Sequence, residues 1–149
     1  MTAEHTKRKI SSVSPQTKKV IGVFDCATEV EVYRAVNRAR RAYLAAELDL
    51  KGRLQKILVL KNLIAADADR IAQLISLEVG KPLSECYACE IAGVLDTCKW
   101  LGANTKRLLK PERVKLGNPL FSGNRCYLQH EPHGVVGIVS PWNFPFSIP

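Results

Sequence analysis

Along the first two thirds of the chain, apolar positions recur at helical spacing. Thr28-x-x-Glu31 is a capping-box pattern, and it stands ahead of Val32, Val36, Ala39 and Tyr43, which share one face of a helix. A second stripe runs through Leu50, Leu54, Ile57, Leu58, Ala65 and Ala68. Asp67 or Asp69 caps a short third helix through Ile71, Leu74 and Ile75, which Gly80 and Pro82 end. Ser84 is a fair N-cap for a long fourth helix reaching about Thr105. At 100° per residue, Tyr87, Ile91, Val94, Cys98 and Leu101 fall on one side of it. Each stripe reads as core packing rather than as a binding surface.

After Pro111 the period changes. Arg113–Leu116 and Arg125–Leu128 alternate polar and apolar residues, with Asn118-Pro119 and Ser122-Gly123-Asn124 between them, which predicts an antiparallel hairpin within residues 112–131. An isolated hairpin is marginal in water, so it needs a surface to pair with, on its own domain or on another subunit. Farther on, Val135, Val136, Ile138 and Val139 form a nearly continuous apolar run between Gly134 and Pro141. That pattern suits a parallel strand covered on both faces. Open parallel sheets bind ligands beyond the carboxyl ends of their strands, and Pro141-Trp142-Asn143-Phe144-Pro145 sits at that end. The prolines restrict Ser140 and Phe144, while Trp142 and Phe144 supply bulk, so Asn143 is expected to be held. A held carboxamide can donate to a developing oxyanion, or it can simply satisfy neighbouring backbone groups. The residues alone leave both readings open.

Composition narrows the class. The 149 residues are 46% hydrophobic, enough for a core and unlike a disordered chain. No apolar run approaches the roughly 18–20 residues that span a bilayer. The formal charge is +8, and about half of the excess comes from Lys7, Arg8, Lys9, Lys18 and Lys19 against Glu4. Residues 1–19 therefore read as a basic, disordered tail. A lysine-heavy tail with Glu4 and Pro15 fits a mitochondrial presequence poorly. The remaining charge is scattered, without a nucleic-acid motif or an aromatic platform, so no nucleic-acid partner and no membrane are expected.

The five cysteines, Cys26, Cys86, Cys89, Cys98 and Cys126, are an odd number without a secretory signal, which points to reduced thiols in the cytoplasm. On a regular helix Cys98 lies far around from Cys86 and Cys89, and no second Cys or His pair stands at finger spacing. No metal site is expected.

The terminal segment resembles the aldehyde dehydrogenase superfamily. Its pattern P-x-G-V-V-G-x-[IV]-x-P-W-N-F-P stands here from Pro132-His133-Gly134 through Pro145. Glu78-Val79-Gly80-Lys81-Pro82 is similar to the family's E-x-G-K-P element. Arg53 with Leu54, Ile57 and Leu58 is similar to its R-x-x-[IL]-L helix. The likeness covers roughly residues 20–149, and complete members are several times longer.

The resemblance implies an α/β fold that is incomplete. It would hold N-terminal helices within residues 20–111, a β-hairpin oligomerisation arm at 112–131, and the first strand and active-site loop of a Rossmann-like NAD(P)-binding domain at 132–149. It makes Asn143 an oxyanion donor, and Ile138, Val139, Ser140, Pro141 and Trp142 the stretch along the ribose and nicotinamide of NAD or NADP. The nucleophilic cysteine, the general-base glutamate, the ribose-binding lysine and the glycine-rich turn lie farther along in the family.

Three readings follow. The favoured one is the N-terminal part of an NAD(P)-dependent oxidoreductase (EC 1.2.1.-) that oxidises a small aldehyde through a cysteine thiohemiacetal. It would be a homo-oligomer, dimer or tetramer, when complete, and inactive as this chain alone. The second is a short, non-catalytic relative that acts as a subunit-interaction module. The third is a thiol or metal module on Cys86 and Cys89.

Overall fold

The structure, a computed structural model, describes residues 7–46, 49–121 and 123–149. Two strands open it. β1 (Lys9–Val13) pairs antiparallel with β2 (Val20–Asp25), Lys9 opposite Asp25 and Ser12 opposite Gly22, with a register shift between Ser12 and Val13. The Ser14 N–H donates to the Lys19 carbonyl and the Lys18 N–H to the Ser14 carbonyl, both at 2.9 Å, which closes the turn. Of the tail expected to be disordered over residues 1–19, residues 9–19 are strand and turn, and residues 1–6 lie outside the described residues. Val20-Ile21-Gly22-Val23-Phe24 supplies a β-branched ladder partner that Lys9–Val13 meets only on folding.

The helices form where the periodicity places them, but the stripes are not all core. The helix over residues 50–66 buries Ile64 alone, which lies outside the expected stripe of Leu50, Leu54, Ile57, Leu58 and Ala65. α1 (Glu29–Leu44) begins at the capping box: the Glu31 N–H donates to Thr28 Oγ1 at 3.3 Å, and the Thr28 N–H donates to Glu31 Oε2 at 2.9 Å. Lys7, ahead of β1, pairs with the same carboxylate at 2.5 Å. The expected core stripe on α1 is corrected, since Val32, Val36, Ala39 and Tyr43 are all exposed and the helix buries no residue. α2 (Leu50–Ala66) is capped by Asp49, and α3 (Ala68–Val79) follows after Asp67. Asp67 makes no side-chain cap, because its carboxylate is engaged by the Arg70 guanidinium. Gly80 ends α3 at φ +77°, and a Cβ there would lie 2.9 Å from Pro15 Cγ, so glycine meets both the backbone and the close approach of the β1–β2 turn.

The fourth helix starts earlier than Ser84. The Pro82 carbonyl already accepts the Cys86 N–H at 3.0 Å, and a single turn, α4 (Leu83–Glu85), runs through a π-helical segment, Cys86–Ile91, into α5 (Ala92–Leu108). The wider turn changes the facing. Cys86 and Ile91 would sit about 140° apart on an α-helix, whereas an i→i+5 repeat brings them to nearly one side, and both are buried. The stripe's Tyr87 end is displaced outward as a result. It is half-exposed and donates from its hydroxyl to Asp69 Oδ1 at 2.7 Å.

The core is small. Ile64 from α2, Ala72 and Ile75 from α3, and Cys86 and Ile91 from the π turn form it, with Val94, Leu95 and Phe146 against it. α2 packs along α5, and α3 packs on the π turn. β3 (Glu112–Val114) and β4 (Cys126–Leu128) then pair antiparallel, Arg113 opposite Tyr127, which is the hairpin read from the alternation.

The terminal apolar run differs from expectation. Among the described residues Val135–Val139 pair with no strand, and Val136 and Val139 are 67% and 97% exposed. A buried parallel strand needs neighbours on both edges and cover on both faces, and the two ribbons here supply neither. The structure is a mixed helix and strand assembly in which no Rossmann sheet is present among the described residues.

Acid should weaken the start of α1. The Lys7 ammonium, with the Thr28 N–H and hydroxyl, lowers the Glu31 carboxyl from 4.5 to about 2. A carboxyl depressed by folding contributes stability that is fully present above its unfolded value and lost as pH falls through the folded one. Thermal unfolding followed by circular dichroism between pH 5 and pH 2 should show this loss, and Glu31→Gln should flatten that part of the profile. Thr28→Ala should cost about 1 kcal/mol at neutral pH, as loss of an N-cap does.

Candidate functional site

Pro82 and Gly80 fix where the chain turns between α3 and the π turn, and that places Lys81 at the mouth of the core. Its side chain is 11% exposed and reaches Glu90, 0% exposed, with 2.5 Å between Nζ and Oε1. The same ammonium donates to the backbone carbonyl of Asn143 at 3.0 Å and lies 4.1 Å from the centroid of the Phe144 ring. Glu90 completes the set through its other oxygen. Oε2 accepts the N–H of Phe146 at 3.3 Å and of Ser147 at 2.9 Å. Burial pushes the Glu90 carboxyl up, but the Lys81 ammonium and Ser147 outweigh it and hold the group below its ordinary range. It is therefore a carboxylate at neutral pH, and both of its oxygens are occupied.

This arrangement explains how Asn143 is held, and the explanation differs from the one expected. Trp142 is 81% exposed and packs on little, so it does not brace the loop. Lys81 grips the Asn143 carbonyl, Phe144 stacks under the ammonium, and Phe146 inserts against the core. The engaged group of Asn143 is its backbone oxygen, and the residue itself is exposed. Ile138, Val139, Ser140, Pro141 and Trp142 form one exposed run leading into Asn143.

Neither member of the buried pair carried a role in the sequence reading. Lys81 stands within the E-x-G-K-P element, and Glu90 stands outside every motif. The sequence holds one signal for Glu90: it stands three residues after Tyr87 and four before Val94, in line with the apolar stripe. Carboxylates almost never lie fully buried unless paired.

The cysteines do not assemble. Cys86 and Cys98 are buried, Cys89 is exposed, and Cys26 and Cys126 are half-buried, all as free thiols. Among the described residues no group of three His, Cys, Asp or Glu could hold a metal ion. Burial pushes the Cys86 thiol up, against the pull of Lys81, and its Sγ lies 3.6 Å from the Lys81 carbonyl. It is a packed thiol rather than a nucleophile. Among the described residues no helix is long and apolar enough to cross a membrane.

With this geometry in place, similarity to known proteins decides the family. The profile described as "Aldehyde dehydrogenase family" matches residues 1–149. The chain belongs to the aldehyde dehydrogenase family. N-succinylglutamate 5-semialdehyde dehydrogenase of Vibrio cholerae is 34% identical over 147 residues, covering 97% of this chain and 29% of the relative. Succinate-semialdehyde dehydrogenase [NADP(+)] of Mycobacterium avium is 30% identical over 138 residues, covering 91% and 29%. The indole-3-acetaldehyde dehydrogenase of P. syringae, solved in complex with NAD+, superposes with a TM-score of 0.81 over 94% of this chain and 28% of that one. At 24% identity that last likeness speaks for the fold alone. The chain spans 26–29% of the length of the first curated relatives it matches.

Two outcomes test the site as described. Lys81→Met strands a fully buried carboxylate and should cost roughly 3–5 kcal/mol in urea unfolding. In timed alkylation of the native chain read by mass spectrometry, Cys89 should be modified well ahead of Cys86 and Cys98.

Proposed function

We propose that this chain is the N-terminal portion of an NAD(P)-dependent aldehyde dehydrogenase and that Asn143 supplies one oxyanion donor to its active site. The observation that carries the proposal is the loop itself. Asn143 is fixed through its backbone by the partly buried Lys81 ammonium while the residue stays exposed, so its carboxamide can meet an incoming oxygen. Preorganised donors aimed at developing charge are worth most when they need not reorganise.

Oxidation of an aldehyde in this family proceeds by attack of a thiolate on the carbonyl, which turns the carbonyl oxygen into an oxyanion. The Asn143 Nδ2 donates to that oxygen and steadies it until the carbon is oxidised and water releases the acid. NAD or NADP, when bound, supplies the acceptor for the electron pair that leaves as hydride. Ile138 to Trp142 suit the ribose and nicotinamide side of that group, because they are exposed, adjacent to Asn143 and mostly apolar. On this reading the residues that bind the pyrophosphate and those that act as nucleophile and base would lie in a longer protein, which the 26–29% coverage of the relatives leaves room for. The hairpin β3–β4 is the candidate oligomerisation arm, supported by the exposure of Val114, Tyr127 and Leu128 along its two strands. Five free thiols fit a reducing compartment such as the cytoplasm.

In an aldehyde-oxidising protein that contains this chain, Asn143→Ala should lower kcat by about two to three orders of magnitude while NAD(P) affinity changes little. Stopped-flow turnover and cofactor titration measure the two separately, and unchanged turnover would remove Asn143 from the mechanism. The 149-residue chain alone should produce no NADH or NADPH with aldehydes. Cysteine-dependent production by sequence-verified protein would overturn the fragment reading.

A further inference from the structure

We propose that Lys81 and Glu90 are positioning residues for Asn143, acting as one buried clamp that sets the backbone of its loop. The proposal rests on the oxyanion reading of Asn143. Two side chains account for four ties to the loop. Lys81 holds the Asn143 carbonyl and the Phe144 ring, and Glu90 holds the Phe146 and Ser147 N–H groups. The 2.5 Å contact between them makes the four a single unit. The loop is gripped on both sides of Pro145, so neither the Asn143 end nor the Ser147 end can shift without breaking a charge-assisted bond.

Physical cost separates this role from simple packing. Placing an ammonium and a carboxylate out of water is costly, and an apolar pair of similar size often holds a core equally well. What an apolar pair cannot do is accept two loop N–H groups and donate to a carbonyl at fixed distances. The π turn belongs to the same device. It brings Cys86, Glu90 and Ile91 inward together, so that the carboxylate enters the core beside the apolar residues that seal it. Single π turns inside helices occur frequently at functional sites.

The double variant Lys81→Met/Glu90→Leu separates positioning from stability, because it removes both charges together. Amide hydrogen exchange by NMR on the 149-residue chain is the readout. In the native chain the Phe146 and Ser147 amides should be protected although they lie outside any helix or strand. In the double variant they should exchange at least about tenfold faster, while Ile75 and Leu95 in α3 and α5 keep their protection. The Asn143 backbone and side-chain amide signals should shift with them. Lys81→Arg, which keeps the charge and the donors, should retain much of the Ser147 protection.

Unprotected Phe146 and Ser147 amides in the native chain would overturn the clamp, whether or not the variants fold. Unchanged loop exchange in a folded double variant would overturn it equally. Neither result depends on aldehyde oxidation. A protected loop combined with full turnover by Asn143→Ala would leave the clamp standing and defeat only the oxyanion role.

Discussion

The buried pair of Lys81 and Glu90 joins parts of the molecule that share little apolar surface. α3 and the π turn make a small core, and the segment that carries Asn143 contributes to it mainly through Phe146. Without the pair, the loop would rest on one aromatic side chain and a set of turns. With it, each charged atom finds a partner, and three backbone groups of the loop are satisfied at the same time. A buried pair is weak evidence for added stability, but it is strong at fixing geometry, since a displaced loop would leave a carboxylate and an ammonium unmatched out of water.

The same smallness of the core accounts for the exposed surfaces. α1 buries no residue, and Val136, Ile138 and Val139 stand in solvent. Large apolar side chains on a contiguous surface usually mark a place where something else packs. Hairpin β3–β4 pairs over three residues on each strand and leaves Val114, Tyr127 and Leu128 exposed as well.

Local chemistry was legible where it was self-contained. Thr28 and Glu31 cap α1 reciprocally, as their spacing indicates, because both partners lie within one turn. Gly80 stops α3 for a reason visible in one residue, its freedom at positive φ. The alternation after Pro111 marked the hairpin, though not its short extent. Ser84 is not the cap, because the Pro82 carbonyl starts the helix first, and the Trp142 ring, 81% exposed, does not brace the loop although bulk beside a loop favours packing.

By itself, the sequence determined the family, through the motif ending in Pro141-Trp142-Asn143-Phe144-Pro145, and most helix positions, through periodicity and caps. Both are properties of short windows, where spacing alone constrains the backbone. Tertiary structure decided that Lys9–Val13 is a strand, since its ladder partner lies beyond a turn. It decided that the long helix takes a π turn at Cys86–Ile91, which turns Glu90 inward with its neighbours. It also decided what holds Asn143, because Lys81 and Glu90 meet a loop more than fifty residues away. Contacts at that separation form only when the intervening helices have packed, and no local pattern encodes them.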